Sequence, residues 1–454
     1  MLRVEQHLER VVGLATLLPA EEAPIEGGTG RVLASDLRAR FAVPPFDNSA
    51  MDGFAVRAAA LSVGVRLQVV GDVPAGASTV PEVGPGECAR IMTGAPLPPG
   101  ADAVVPVELT DQPMGEAPLP EWVEVGGVVA EGQHVRRRGE DVAVGDVVLA
   151  AGTLWGPEAT GAASSIGYAT VPLRRRPRVA VLATGDELVA PGVELGFGHI
   201  PDSNSYLLAG LVERFGGEVV LRRAVGDARD EFRAALDEAL AADVVVTTGG
   251  VSVGAFEVVR QVTEGQIEFV KVNMQPGKPQ AAGRLRVPDG RDVAFLGLPG
   301  NPVSVWVSAW LFLRPLLAAF GGLGMRPNLD SGGQTGAHLD SASALVGPAL
   351  DSGGQTGAHL DSARPKASAR PASGARGAWH QSRTVVLPVR QSWSKPPGRR
   401  QYIPVTLVDG GVAPSHALGS RSHLIASLHL ADGLAIVPAD ADGPGDTVEV
   451  LLTR

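Results

Sequence analysis

The chain has 454 residues, is 44% hydrophobic and 19% charged, and carries a formal net charge of −10. That length supports several hydrophobic cores, about three domains, while the negative balance excludes the broad basic face that nucleic-acid binding needs; the arginines form only short clusters such as Arg136–Arg138 and Arg174–Arg176. The single cysteine, Cys88, excludes an intrachain disulfide, so stability must come from packing and nothing calls for an oxidising compartment.

Met1–Leu18 places Glu5, Glu9 and Arg10 among spaced apolar residues, which predicts an amphipathic helix rather than a signal peptide. Up to Ala42 the chain then reads as extended, ending at the pair Pro44–Pro45. Over 44–140, short apolar stretches (Val65–Val70, Cys88–Met92, Ala103–Val107) alternate with Gly/Pro turns, as in a small β domain. Mixed character resumes afterwards, so the expected arrangement is a mixed N-terminal domain of 1–43 and 141–173 with the β domain inserted into it.

The segment 174–325 alternates strands and helices. Three apolar runs end there in glycine-punctuated turns: Arg178–Glu187 (RVAVLATGDE), Asp243–Gly254 (DVVVTTGGVSVG) and Val293–Asn301 (VAFLGLPGN). Buried parallel strands read as such runs, and ligands bind where these strands end. Glycine lets backbone N–H groups approach an anion closely; Gly249, Gly250 and Gly254 bracket Ser252 in this way, and Asp186 and Glu187 offer the oxygen ligands a hard cation needs. Asn204–Phe215 and Ala228–Ala242 repeat apolar residues at helical spacing, with Asp227 where an N-cap would stand. Strand, helix, strand, helix in this order implies a doubly wound, mostly parallel sheet. The apolar stretch Pro302–Phe320 is interrupted by Arg314 and Pro315 and falls short of about 18 unbroken apolar residues, so a cytoplasmic protein without a membrane span is expected.

Leu329–Ala342 (LDSGGQTGAHLDSA) recurs identically at Leu350–Ala363, nearly without large apolar residues, and 326–380 is expected to be a disordered, low-complexity insertion. One histidine per repeat, His338 and His359, does not make a metal site. Strand-like segments over 381–454 predict a C-terminal β domain. The fold class is therefore multidomain α/β and β.

Pro45–Arg57 (PFDNSAMDGFAVR), Arg90–Pro96 (RIMTGAP), Val135–Asp141 (VRRRGED), Thr184–Leu188 (TGDEL), Gly198–Asn204 (GHIPDSN), Gly249–Gly254 (GGVSVG), Gln275–Pro279 (QPGKP) and Leu298–Ser304 (LPGNPVS) occur in this order. Together they resemble molybdopterin molybdenumtransferase, which inserts molybdate into adenylylated molybdopterin with release of AMP, and which is similar to the C-terminal part of gephyrin. The resemblance implies an elongated homodimer whose active sites join the α/β domain of one subunit to the inserted β domain of the other. It places the reaction on Asp52, Thr93, Asp141, Glu187, Asp227 and Glu257, with the five carboxylates holding magnesium, or zinc as the alternative, against anionic substrates; oxygen ligands suit magnesium better. Asp186, Ser203, Asn204, Gly249, Gly250, Ser252, Gly254, Lys278, Pro299, Asn301 and Ser304 are implied in holding the pterin, phosphate or molybdate. Thr93 would hydrogen-bond an anionic oxygen. The molybdopterin adenylyltransferase is an implied partner; nucleic acid and membrane are not.

Each residue has a plainer role open to it. Asp227 could only cap a helix, Asp52 before Gly53 could form an Asx-turn, and Asn301–Pro302 could be a turn. Three positions depart from the family pattern: Glu257 where aspartate is usual, Gln275 where many members have lysine, and Pro404 in place of an arginine, for which Arg399 or Arg400 could compensate. A gephyrin-like scaffold and a different nucleotide-dependent transferase or hydrolase are the competing readings. Asp52, Asp141 and Glu187 together argue against the first, and the DNSAMDG segment against the second.

Overall fold

Successive residues of a strand face opposite sides of its sheet, and the run Val179–Leu182 shows what this requires here. Val179 and Val181 enter one core, shared with Leu208, Val212, Leu316 and Phe320. Ala180 and Leu182 enter another, shared with Phe232, Leu236, Val259 and Val262. A strand buried on both faces has no polar positions, which explains why these segments read as unbroken apolar runs.

The computed structural model describes residues 1–115, 117–249, 256–263, 265–323, 384–416 and 423–454. The insertion 326–380, with both repeats and both of their histidines, lies outside the described residues. The described chain divides into two units, Met1–Leu18 with Arg176–Arg454, and Pro19–Arg175.

In the first unit a six-stranded sheet runs in the order Glu218–Val225, Arg178–Thr184, Val244–Thr248, Asp292–Leu298, Pro279–Arg286, Ile267–Lys271. The first four strands are parallel and the last two antiparallel. Helices Arg229–Ala239 and Phe256–Thr263 contribute to the core on one face. Helix Asn204–Arg214 and the helical stretch Pro302–Phe320 cover the other. A second sheet, built around Arg400–Val408, Gly433–Val437 and Thr447–Leu452, shares that latter core through Tyr402, Leu434 and Leu451. Met274–Gln275 pairs in parallel with Arg400–Gln401 and so ties the QPGKP segment to this sheet.

Two sequence expectations change. Pro302–Phe320 is one continuous helical stretch, long and apolar enough to cross a bilayer, yet 89% of its most apolar window is buried inside the protein, as in the core helix of an α/β unit. Pro315 has no N–H to give the turn before it, and the stretch accommodates this with a π-helical segment, Ala309–Leu313. The amphipathic N-terminal helix, Val4–Val12, does form, but it packs with the α/β unit rather than with 141–173: Val4, Leu8 and Val11 join the core that contains Phe312 and Leu316. Periodicity identified its apolar stripe without identifying what covers it.

His7 of this helix is 1% exposed and makes an edge contact with Phe312, ring centroids 4.7 Å apart. Among the described residues, neither ring nitrogen has a hydrogen-bond partner. Burial, and then the nearby Arg10 charge, push its pKa down to about 4 from 6.5. Arg10 is itself paired with Glu268 at 2.7 Å. The folded state therefore favours the neutral ring, and the unfolded chain binds the proton more tightly between these two values. His7 contributes stability that is full above pH 6.5 and is lost as pH falls towards 4, on the order of 3 kcal/mol. Urea unfolding of His7→Phe should show this acid-side loss removed; an unchanged pH slope would contradict it.

The second unit holds a five-stranded sheet in the order Ala103–Pro106, Gly53–Val56, Glu87–Ile91, Arg66–Val73, Trp122–Glu124. Gly53 is required because a Cβ there would lie 2.0 Å from the Val105 carbonyl oxygen. A separate core gathers Leu33, Leu37, Trp155, Ile166 and Leu173. Cys88 is buried, and burial followed by the Glu87 charge pushes its thiol up to about 12, which rules it out as a nucleophile.

Candidate functional site

The strands Arg178–Thr184, Val244–Thr248 and Asp292–Leu298 are neighbours, so the turns that follow them meet at one edge of the sheet. Gly249 has φ +87°, and a Cβ on it would stand 2.3 Å from the Thr184 carbonyl oxygen. A Cβ on Gly300 would lie 3.3 Å from the Gly249 Cα. The three turns are thus in mutual contact, and glycine is what allows it.

Side chains lock this edge. Thr248 Oγ1 donates to the Pro299 carbonyl at 3.2 Å. Asn204, in the first turn of its helix, donates through Nδ2 to the Gly300 carbonyl at 2.6 Å. Ser203 precedes it as the N-cap residue but makes no side-chain cap bond. Among the described residues, two buried polar atoms here, Thr184 Oγ1 and Asn204 Oδ1, have no hydrogen-bond partner. Orphaned buried groups are costly, and a ligand held at the strand ends would satisfy them.

Beside them stand carboxylates. Asp227 does not cap the helix that follows: the helix is Arg229–Ala239, its N-cap is Ala228, and no side-chain cap bond exists. Instead the Asp227 amide donates to Asp186 Oδ1 at 2.8 Å. The Asp227 carboxyl is held above the usual range by burial first, then by the charges of Asp186 and Glu187. This concentration of negative charge is a place where a cation lowers the free energy.

Among the described residues, no three His, Cys, Asp or Glu side chains form a group that could hold a metal ion by themselves. A structural zinc site is normally closed by four protein ligands. The oxygen donors present fit magnesium better, since that ion commonly keeps water and takes substrate phosphate oxygens beside one or two carboxylates.

The remaining predicted residues fall as follows. Lys278 is half-buried on the QPGKP segment; Gly277 (φ +99°) packs there against Met274 and Ser308, and Gln280 Nε2 donates both to the Gly277 carbonyl and to Ser308 Oγ, each at 2.8 Å. Asn301 is exposed at the N-cap of the long helix, without a side-chain cap bond. Ser304 is 3% exposed inside that helix. Gly250, Ser252 and Gly254 lie outside the described residues, as does the side chain of Glu257, whose backbone is in helix Phe256–Thr263. Arg400 is not a spare cation: it donates to Glu5 at 2.5 Å, which leaves Arg399 as the candidate to replace the charge missing at Pro404. Pro404 itself lies buried mid-strand, where its carbonyl accepts from the Ser415 amide.

In the unit Pro19–Arg175, Asp52 and Thr93 form a pair. The Thr93 amide and hydroxyl both donate to Asp52 Oδ1, each at 2.6 Å. These two bonds hold the Asp52 carboxyl below its usual range. Thr93 therefore positions a carboxylate and favours its ionised form, a role the sequence did not reveal. Asp141 is exposed on the turn after Gly139, fixed by its amide to the Val43 carbonyl at 3.0 Å.

Family models match along most of the chain. They are described as "MoeA N-terminal region (domain I and II)" over residues 2–167, "Probable molybdopterin binding domain" over 180–319, and "MoeA C-terminal region (domain IV)" over 386–453. Molybdopterin molybdenumtransferase 2 of Mycobacterium tuberculosis (strain CDC 1551 / Oshkosh) is 41% identical over 337 residues, which cover 71% of this chain and 80% of that protein. Molybdopterin molybdenumtransferase of Haemophilus influenzae is 39% identical over 302 residues, 66% of this chain and 72% of its own. Among solved structures, the molybdopterin biosynthesis MoeA protein from Pyrococcus horikosii superposes with a TM-score of 0.73 at 28% identity, covering 100% of this chain and 99% of that one. These matches, together with the strand-end turns and the Asp52–Thr93 pair, establish that the chain belongs to the MoeA family of molybdopterin molybdenumtransferases.

Proposed function

We propose that this chain is a molybdopterin molybdenumtransferase that inserts molybdate into adenylylated molybdopterin and releases AMP in a magnesium-dependent reaction. The observation that carries the reading is the edge of strand ends, where Thr184 Oγ1 and Asn204 Oδ1, without hydrogen-bond partners among the described residues, stand with the Asp186, Glu187 and Asp227 carboxylates. Relatives named for this enzyme support it and do not favour the gephyrin-like scaffold.

Glu187 and Asp227 would hold the cation together with substrate oxygens, Asp186 fixes Asp227 through its amide, and bound magnesium would supply Lewis-acid polarisation of the phosphoanhydride. Asn204 and Thr184 orient the ligand through hydrogen bonds. Lys278 balances phosphate or molybdate charge, and the glycine turns admit the ligand close to the backbone. Asp52 and Asp141 supply further carboxylates, as does Glu257. The working molecule is a homodimer in the cytoplasm, with each active site completed by Asp52 and Thr93 of the other subunit, and it receives its substrate from the molybdopterin adenylyltransferase.

Thr93→Val tests the role given to Thr93. Losing the hydroxyl bond raises the Asp52 pKa, so the acid limb of kcat/KM should move to higher pH, and kcat/KM near neutrality should fall about 10-fold, the scale of one charge-assisted hydrogen bond. An unmoved acid limb with full activity would contradict the assignment.

A further inference from the structure

The GHIPDSN segment contains an acid with no part in the site described above. Asp202 is 3% exposed, so it acts on the protein around it rather than on a ligand. A buried carboxylate needs partners for its lone pairs, and those of Asp202 lie in the turn that carries Asn204. Asp202 Oδ1 accepts from the Ser205 amide at 3.0 Å, which is the side-chain cap that Ser203 does not supply. Asp202 Oδ2 accepts from the Ser205 hydroxyl. Ser205 is fully buried, and its Oγ in turn accepts from Arg222 Nη1 at 3.1 Å. A guanidinium can only donate, so the hydroxyl proton is left for the carboxylate, and the chain from Arg222 through Ser205 to Asp202 has one direction. Arg222 is itself stacked on Tyr206, its Cζ 3.7 Å from the ring centroid.

Backbone bonds carry the same residue to the acidic side of the site. The Asp202 amide donates to the Val189 carbonyl and the Ile200 amide to the Glu187 carbonyl, both at 2.9 Å, across the parallel pair Leu188–Val189 and Ile200–Pro201. Arg222 lies on the strand Glu218–Val225, whose end leads to Asp227. The segments that carry Glu187, Asn204 and Asp227 therefore converge on one buried carboxylate. Asn204 stands between Asp202 and Ser205, and its Nδ2 reaches the Gly300 carbonyl.

We infer that Asp202 is a positioning residue: through Ser205 it fixes the first turn of the helix, and with it the Asn204 amide, against the Gly300 turn. Arg222 supplies the opposite charge at the far end of the chain. The inference rests on the transferase reading, in which Asn204 orients the ligand. Asp202→Asn isolates the role at nearly constant shape. An aspartate accepts from both the Ser205 amide and the Ser205 hydroxyl, whereas an asparagine has one acceptor oxygen, so one of the two donors loses its acceptor.

The test is a double-mutant cycle on the purified full chain, with Asp202→Asn and Asn204→Ala made singly and together. Turnover of adenylylated molybdopterin and hydrogen–deuterium exchange are both measured. Asp202→Asn alone should lower kcat/KM about 10- to 100-fold, the scale of a misplaced ligand contact and a lost bond to a charged group. In the Asn204→Ala background it should lower kcat/KM less than about 2-fold, because the residue it acts through is already gone. Exchange should rise about 2- to 10-fold over 203–208 and also over 298–303, the scale of one hydrogen bond. The rise over 298–303 should be absent in the Asn204→Ala background. A residue that merely supports the fold would give equal losses in both backgrounds. If Asp202→Asn does not fold, Ser205→Ala, which removes only the hydroxyl link, takes its place in the same cycle. Equal losses in the two backgrounds, full activity of Asn204→Ala, or unchanged exchange over 298–303 overturns the positioning role and leaves the transferase reading standing. Absence of turnover in the folded wild type overturns the transferase reading, and exchange over 298–303 then decides the positioning role by itself.

Discussion

Gly249→Ala is expected to destabilise the protein by about 3 kcal/mol or more and to abolish turnover. A left-handed backbone costs an L-residue about 1–2 kcal/mol before any contact is counted, and Gly249 has φ +87°. The added methyl group would also stand 2.3 Å from the Thr184 carbonyl oxygen, a backbone atom that cannot swing away. Relief requires separating the ends of Arg178–Thr184 and Val244–Thr248, which are adjacent in the sheet. Those are the strand ends at which Thr184 Oγ1 stands in the proposed ligand site. Thermal unfolding and an AMP-release assay on the purified variant would check this, and wild-type stability with retained turnover would refute it. As a control, Gly192 also has positive φ (+88°) but has no atom within 4 Å of an added Cβ, so Gly192→Ala should carry only the conformational part of the cost.

The second large effect is expected at Glu187. Its charge helps to hold the Asp227 carboxyl above the usual range. Folding thus brings together carboxylates that repel, and the repulsion destabilises the metal-free protein above the ordinary carboxylate pKa. Glu187→Gln keeps the shape and removes the charge. It should lower turnover by about 10²–10³-fold, the scale of losing an electrostatic group at a reacting centre, while raising the melting temperature of the metal-free protein. Magnesium should stabilise the wild type more than the variant, because ligand binding to the folded state stabilises in proportion to occupancy. The opposite signs matter: a residue with only a structural role would lose stability and activity together. Equal activity, or a fall in melting temperature, would remove Glu187 from the site.

How much of this was legible in the sequence depended on whether the signal was local. Val244–Thr248 and Asp292–Leu298 were readable because strands buried on both faces read as near-continuous apolar runs. The glycines at the strand ends were readable because a close approach leaves no alternative. The rival capping role for Asp227 fails, although an acid beside a helix start satisfies the capping pattern, because its actual bond, to Asp186, comes from another strand end that no local pattern records. Thr93 was singled out for a hydroxyl, but its partner lies 41 positions earlier in the chain. The partners of the N-terminal helix were hidden for the same reason: an apolar stripe states that something covers it, and Phe312 is far along the chain.

The measurement that bears most directly on the central claim is incubation of the purified full chain with adenylylated molybdopterin, molybdate and magnesium, following AMP release and molybdenum cofactor formation together. Both products are expected in equal amounts, dependent on molybdate and magnesium and lost in Glu187→Gln. AMP release without molybdenum insertion, or no product from folded protein, would contradict the transferase reading.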